Sequence, residues 1–322
     1  MLTFFTTAKA FVGHSEVIQR NALKSWTLLH PDLEVIVFGD DAGAAEVCRE
    51  LGLRHEPRVE RRGEGPPSVR SIFERAQEIA RHELVCYCNC DIILTEDFRR
   101  ALETAAAGWR ERFLMVGRRW DVDVTAAVDF GAAGWQEALR ERARREGFQR
   151  LYYNIDYFAF RRGLYQGIPE LMIGRCWWDQ WLVWQAGAAG AAVIDASEAV
   201  CAVHQNHEYS FQPHGSGGAW SDAAIRENFR LAGGWGHLHT MEDAGWRLTA
   251  AGGVARRRWA GLAPARRRVR RASSAVRTFA RTRVWHPLLD KTRRVRHAVG
   301  LQESVLGPLR RRGGPRRHWL DQ

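Results

Sequence analysis

The chain reads as an α/β protein built on a mostly parallel sheet with helices on both faces. Three observations predict this. Short apolar runs alternate with stretches of helical periodicity, several of the runs end in clusters of polar residues, and the 322 residues are 45% hydrophobic and 11% aromatic, ample for a sizeable core.

The first run, Leu2-Thr3-Phe4-Phe5-Thr6, is a buried strand. Ser15 then stands as the cap of a helix reaching about Leu29, with Val17, Ile18, Ala22 and Trp26 near one face and Pro31 as its stop. Leu33–Phe38 is the second strand, ended by Gly39-Asp40-Asp41, and the short helix after it closes at Leu51 with Gly52 just beyond. Gly65-Pro66-Pro67 introduces Ser68 as a cap, behind which Val69, Ile72, Phe73, Ala76, Ile79 and Ala80 fall at helical spacing. Leu84–Cys88 is the third strand and leads into Asn89-Cys90-Asp91. Further strands are expected at 191–195 and 200–203. In such sheets ligands bind beyond the carboxyl ends of the strands, where Thr6 to Lys9, Gly39 to Asp41 and Asn89 to Asp91 converge. No Gly-x-Gly-x-x-Gly follows the first strand and there is no Walker loop, which disfavours nicotinamide enzymes and phosphate-loop ATPases.

Charge divides the chain. Residues 251–322 hold 20 Lys+Arg against 3 Asp+Glu, leaving 28 basic and 34 acidic residues in the first 250. A globular domain over 1–250 followed by an Arg-rich tail over 251–322 is the expected organisation, with Ala250-Ala251-Gly252-Gly253 as a linker. No run approaches 18 apolar residues and the start has no signal-peptide pattern, so a cytoplasmic protein is expected. The six cysteines form no disulfide framework.

Three constellations carry chemistry. In strand alternation Asn89 and Asp91 point one way and Cys86, Cys88 and Cys90 the other. Two oxygen-bearing side chains at a strand end suit Mg²⁺ or Mn²⁺ shared with a diphosphate; the plain alternative is that Asp91 caps a turn. Next, Gly174 to Trp181 is a helix start with Trp177, Trp181 and Trp184 on one face and Asp179 in the first turn. A carboxylate beside aromatic platforms suits a sugar ring and its hydroxyl, although the helix dipole alone would also favour it there. Third, His204 and His207 follow a strand, where a histidine can close a metal site or remain an ordinary surface group. Asp156, entering a strand at Tyr157, either binds substrate or caps a turn.

Taken in order, Lys9, Phe38-Gly39-Asp40, Pro67 to Phe73, Asn89 to Leu94, Asp156-Tyr157-Phe158, Trp178 to Trp181 and His204 to His207 resemble a GT-A-fold glycosyltransferase over roughly residues 2–210. The resemblance implies a Rossmann-like GT-A sheet, a nucleotide-diphosphate sugar as donor and a divalent metal, Mn²⁺ or Mg²⁺. The family's Asp-x-Asp metal motif falls on Asn89-Cys90-Asp91, with Asn in place of the first Asp. Metal ligation then falls to Asp91 and His204, His207 being the second choice. Asp179 matches the catalytic base of inverting members, a retaining route staying open if Asp179 is structural. Nucleotide-sugar contacts fall to Thr6, Lys9, Asp40, Ser71, Asn89 and Asp91, while Asp156, Arg175 and Trp178 face the acceptor or the diphosphate. A glycan or lipid-linked acceptor is the expected partner.

Two other readings share the sheet. A sugar nucleotidyltransferase usually has a Gly-rich loop after its first strand, where residues 6–13 hold a single glycine. A non-catalytic nucleotide or glycan binder could dispense with Asp179. In the tail, Leu288, Val295 and Val299 with Arg293, Arg294 and Arg296 form a basic amphipathic pattern that attracts anionic lipid, which suggests peripheral docking at the inner membrane face. Nucleic-acid binding and a solvated tail without a partner are the alternatives, nucleic acid ranking lower.

Overall fold

The computed structural model describes residues 1–61, 65–207 and 222–257. A nine-stranded sheet forms the centre. In spatial order it runs β13 (Val254–Arg256), β12 (Trp246–Leu248), β10 (Ala192–Asp195), β6 (Phe113–Val116), β9 (Tyr157–Arg161), β4 (Leu84–Cys88), β1 (Leu2–Thr7), β2 (Leu33–Phe38) and β3 (Arg54–Glu56). Pairing is parallel except where β9 runs against both β4 and β6, and where β13 folds back on β12. A second, four-stranded sheet has the order β5 (Ile92–Ile93), β11 (Ala202–Gln205), β7 (Arg119–Val122) and β8 (Phe148–Gln149).

Strand alternation divides the core into two layers. On one face Phe4, Val35, Cys86, Cys88 and Met115 pack against α1 (Gly13–Thr27), α2 (Ala44–Leu51) and α4 (Glu96–Gly108). On the other, Phe5, Ile36, Tyr87, Leu114 and Phe160 pack against α3 (Val69–Ile79) and α6 (Trp178–Ala188). Phe73 of α3 is fully buried there, its ring 5.0 Å from Phe5, 5.2 Å from Tyr87 and 5.7 Å from Tyr165. The second sheet has its own small core, in which Ile93, Val122 and Val203 meet Leu139 and Ala143 of α5 (Trp135–Glu146). A further helix, α7 (Ala223–Leu231), is tied to the loop before α6 by Asn228, whose Nδ2 donates to the carbonyls of Met172 and Cys176.

Several local expectations hold and some are corrected. Ser68 caps α3, its Oγ accepting from the Ser71 amide, and Gly52 closes α2 in the left-handed region at φ 68°. Ser15 does not cap α1. That helix starts two residues earlier, at Gly13, with extended Val12 ahead of it and no side-chain cap. The strand expected at 200–203 lies at 202–205, so His204 sits within β11 instead of at its end. Thr249 to Gly253 turns β12 into β13, so the charge step near residue 250 falls inside a hairpin. Residues 258–322, nearly all of the Arg-rich tail, lie outside the described residues. Among the described residues no helix is long and apolar enough to cross a membrane.

Candidate functional site

Because β4, β1 and β2 are adjacent and parallel, their carboxyl ends share one edge of the sheet. Antiparallel β9 presents its beginning at that edge, with Tyr157 opposite Cys88. The residues flanking this pair therefore meet. Asn89 donates its backbone amide to the Asp156 carbonyl at 2.9 Å and its Nδ2 to Asp156 Oδ1 at 2.7 Å.

The alternation expected through Asp91 stops at Cys88. A turn follows, closed by the Ile92 amide donating to the Asn89 carbonyl at 3.1 Å, and it sends the two side chains apart. Asn89 goes to Asp156, whereas Asp91 goes to His204 of β11 and to His207 just beyond it. Gln205 fixes the turn, donating its backbone amide (3.1 Å) and its Nε2 (3.2 Å) to the Asp91 carbonyl.

Asp91 Oδ2 accepts from His207 Nε2 at 3.0 Å and lies 3.5 Å from His204 Nε2. On the far side of the His204 ring, Nδ1 is 3.2 Å from Asp121 Oδ1. Burial opposes charge on His204, but the Asp91 carboxylate and the contact with Asp121 outweigh it and push the ring up to about 9. Burial likewise opposes charge on Asp91, yet the two histidines hold it well below the usual carboxylate range. Asp121 is held at about 2 against its burial, by His204, Arg119 and Arg150.

These residues fit a divalent cation. One ligand atom each from Asp91, His204 and His207 lies within 4.8 Å of the others, and buried Asp91 Oδ1 has no hydrogen-bond partner. A carboxylate with two imidazoles is a mixed oxygen–nitrogen set, which suits Mn²⁺ better than Mg²⁺, an ion that prefers oxygen alone.

Asp179 stands in the first turn of α6, as its position in the sequence suggests. Burial raises its carboxyl from 3.8 to about 7, partly offset by the backbone N–H of Gln180 and reinforced by the Asp156 charge. The helix is entered through Trp177 at φ 85°, the one non-glycine residue of the described chain with positive φ. A bulky residue there is strained, and its ring is wedged between Trp235 (5.3 Å) and Phe229 (5.9 Å). Trp177 therefore leaves the face on which Trp181 and Trp184 lie 6.0 Å apart. Asp156 is only 4% exposed: Oδ1 accepts from Arg119 Nη1 at 2.8 Å as well as from Asn89, and buried Oδ2 has no partner.

The remaining candidates are spread along the same edge and beyond it. Thr6 is buried at the end of β1, and exposed Lys9 follows, its backbone clamped by Gln19. Asp40 is 79% exposed and 3.9 Å from Arg61. Ser71 accepts the Glu60 amide at 3.1 Å. Arg175 pairs with Asp222 at 3.3 Å. Trp178 is 6% exposed, its ring packed 5.4 Å from Tyr87 and 5.6 Å from Phe158. Sequence reasoning missed Asp121, Arg119 and Arg150. The one available signal was the Arg119-Trp120-Asp121 alternation, which puts two charges on one face of a strand.

No protein-family model matches the chain, and no curated protein matches it. Solved structures similar to it include glucosyl-3-phosphoglycerate synthase from Mycobacterium tuberculosis in complex with Mg²⁺ and uridine diphosphate. That structure has 15% identity and a TM-score of 0.46, over 73% of this chain and 80% of that one. The same enzyme with Mn²⁺, uridine diphosphate and phosphoglyceric acid gives 14% identity and a TM-score of 0.46, over 73% and 79%. A further mycobacterial protein gives 15% identity and a TM-score of 0.43, over 73% and 75%. The metals and ligands belong to those proteins.

Proposed function

We propose that this chain is a metal-assisted GT-A-fold glycosyltransferase, moving a sugar from a nucleoside-diphosphate donor to an acceptor hydroxyl. One observation carries the reading: a partly buried Asp91–His204–His207 cluster, in which one carboxylate oxygen is unsatisfied, lies at the strand edge where ligands bind in α/β sheets. Asp91, His204 and His207 would hold the divalent cation. When bound, it supplies neutralisation of the charge building on a departing diphosphate.

The chain's own residues do the rest. Asp179, with its carboxyl at about 7, is suited to accept the proton of an acceptor hydroxyl near neutral pH, which gives inversion at the anomeric carbon. Asp156 is assigned to the acceptor or diphosphate side of the site, where it holds Asn89 and Arg119 in place. Thr6, Lys9, Asp40 and Ser71 are assigned to the nucleotide. Arg175 is assigned to the diphosphate or an acidic acceptor, after leaving Asp222. A glycan or lipid-linked acceptor, a cytoplasmic location and docking of the basic tail on an anionic membrane complete the proposal.

Thermal unfolding against nucleoside diphosphates and their sugars, with and without Mn²⁺, tests it. A ligand at 100 times its Kd stabilises the native state by about 2.7 kcal/mol. The expected result is a Mn²⁺-dependent rise for one nucleotide, lost in Asp91→Ala. A folded wild type whose midpoint no nucleotide moves would overturn the proposal.

A further inference from the structure

We infer that Asp121 is a positioning residue for the cation site, fixing the His204 ring from the neighbouring strand so that Nε2 faces Asp91. The inference rests on the proposed cation site and concerns how that site is held in shape. β7 and β11 pair in parallel with Asp121 directly opposite His204, so both side chains leave the same face of the second sheet. The ring is consequently gripped at both ends: Nδ1 is 3.2 Å from Asp121 Oδ1, and Nε2 is 3.5 Å from Asp91 Oδ2. With the Asp121 carboxylate 3.2 Å from Nδ1, the ring presents Nε2 towards Asp91, and swinging away would abandon that ion-pair contact.

Asp121 is itself immobile. Its Oδ1 accepts from Arg119 Nε at 2.9 Å, and its Oδ2 accepts from Arg150 Nε. Arg119 continues to Asp156 Oδ1 at 2.8 Å, which anchors the line to the central sheet. Both Asp121 oxygens are thus satisfied by guanidinium groups without any help from His204. The carboxylate does not need the imidazole for its own burial, and the imidazole is the group that gains orientation from the contact. His204 is 1% exposed, so in the intact protein its ring is held by side chains and not by bulk solvent.

The test is direct titration of the full chain with Mn²⁺, reading free Mn²⁺ by electron paramagnetic resonance. Wild type is compared with Asp121→Ala, Asp121→Asn and His204→Ala, each below its own unfolding midpoint. Loss of a carboxylate behind a ligating histidine typically weakens metal affinity about 10–100-fold, and that rise in Kd is expected for Asp121→Ala. Asp121→Asn, which keeps one oxygen, is expected to fall between it and wild type. In ¹⁵N-histidine spectra of the Mg²⁺-loaded protein, wild type should show a protected Nδ1–H on His204 that Asp121→Ala loses. A purely structural role would lower the unfolding midpoint while leaving the Mn²⁺ Kd of the folded protein unchanged. An unchanged Kd in Asp121→Asn or Asp121→Ala, with loss in His204→Ala, overturns the inference alone. Failure of wild type itself to bind Mn²⁺ overturns the cation site together with it.

Discussion

The two sheets are held together by different physics. In the central sheet, β1 and β2 are apolar runs, and Phe4, Phe5, Ile36 and Val37 are fully buried between helices on both faces. Apolar burial is non-directional and spread over many contacts, so each residue contributes a share and none is singular. The second sheet has strands of two to four residues and buries Asp121, Arg119, His204 and Gln205 among only a few apolar side chains. Its order depends on charges meeting particular partners: a buried ion pair contributes little net stability while intact and costs a great deal when one partner is removed. Redundancy belongs to the scaffold, and singularity to the site.

The largest expected effect tests whether Asp179, on a helix packed against the central sheet, behaves like a residue of the second. Asp179→Asn should lower kcat by about 10²–10⁴-fold if Asp179 is the base, and steady-state rates with the donor identified by unfolding would check it. pH separates its two roles. Its folded-state value is raised from 3.8 to about 7, so the group's stabilising contribution is full below 3.8 and is lost as pH rises towards 7. Asp179→Asn should therefore gain stability relative to wild type as pH rises from about 4 to about 7, and hold that gain above it. Wild-type turnover should rise with its midpoint near pH 7, as the folded-state base ionises. A stability difference that is flat with pH contradicts the raised value.

Two substitutions then compare the sheets directly by chemical denaturation. Phe73→Ala in the central core should cost about 3–5 kcal/mol through lost contacts and the cavity left behind. Arg119→Met should cost a similar ~3–5 kcal/mol while removing almost no apolar area, because Asp121 and Asp156 lose a buried partner. If Arg119→Met is nearly neutral, the contrast between the sheets collapses. Smaller effects sharpen it. Ser68→Ala, removing the cap of α3, should cost about 1 kcal/mol in the same measurement. Asp40→Ala should change stability by less than about 0.5 kcal/mol, so that any loss of nucleotide binding it causes is a contact and not a folding defect.

The same contrast explains which features were legible in the sequence. Strands β1, β2 and β4 and the Ser68 cap announce themselves within a few residues, since burial and capping are local. Asp91, His204 and His207 could be picked out by residue type and by the resemblance, and the structure brings them together. Strand alternation aligns Asn89 with Asp91 only if the pleat runs through both, and it ends at Cys88. The grip of Asp121 on His204 could not be read at all. It follows from the register of β7 against β11, two strands about eighty residues apart whose pairing no local pattern encodes.

The contact between Asp91 and His207 spans 116 positions of sequence. Chains are synthesised at about 5–20 residues per second, so roughly 6–23 s separate the appearance of the two partners on the ribosome. During that interval β1, β2 and β4 are already made, but β11 is not, and the carboxylate lacks both histidines. Closing the acidic corner is therefore a late event in the life of the nascent chain. Its formation registers that segments far apart in the chain have found each other.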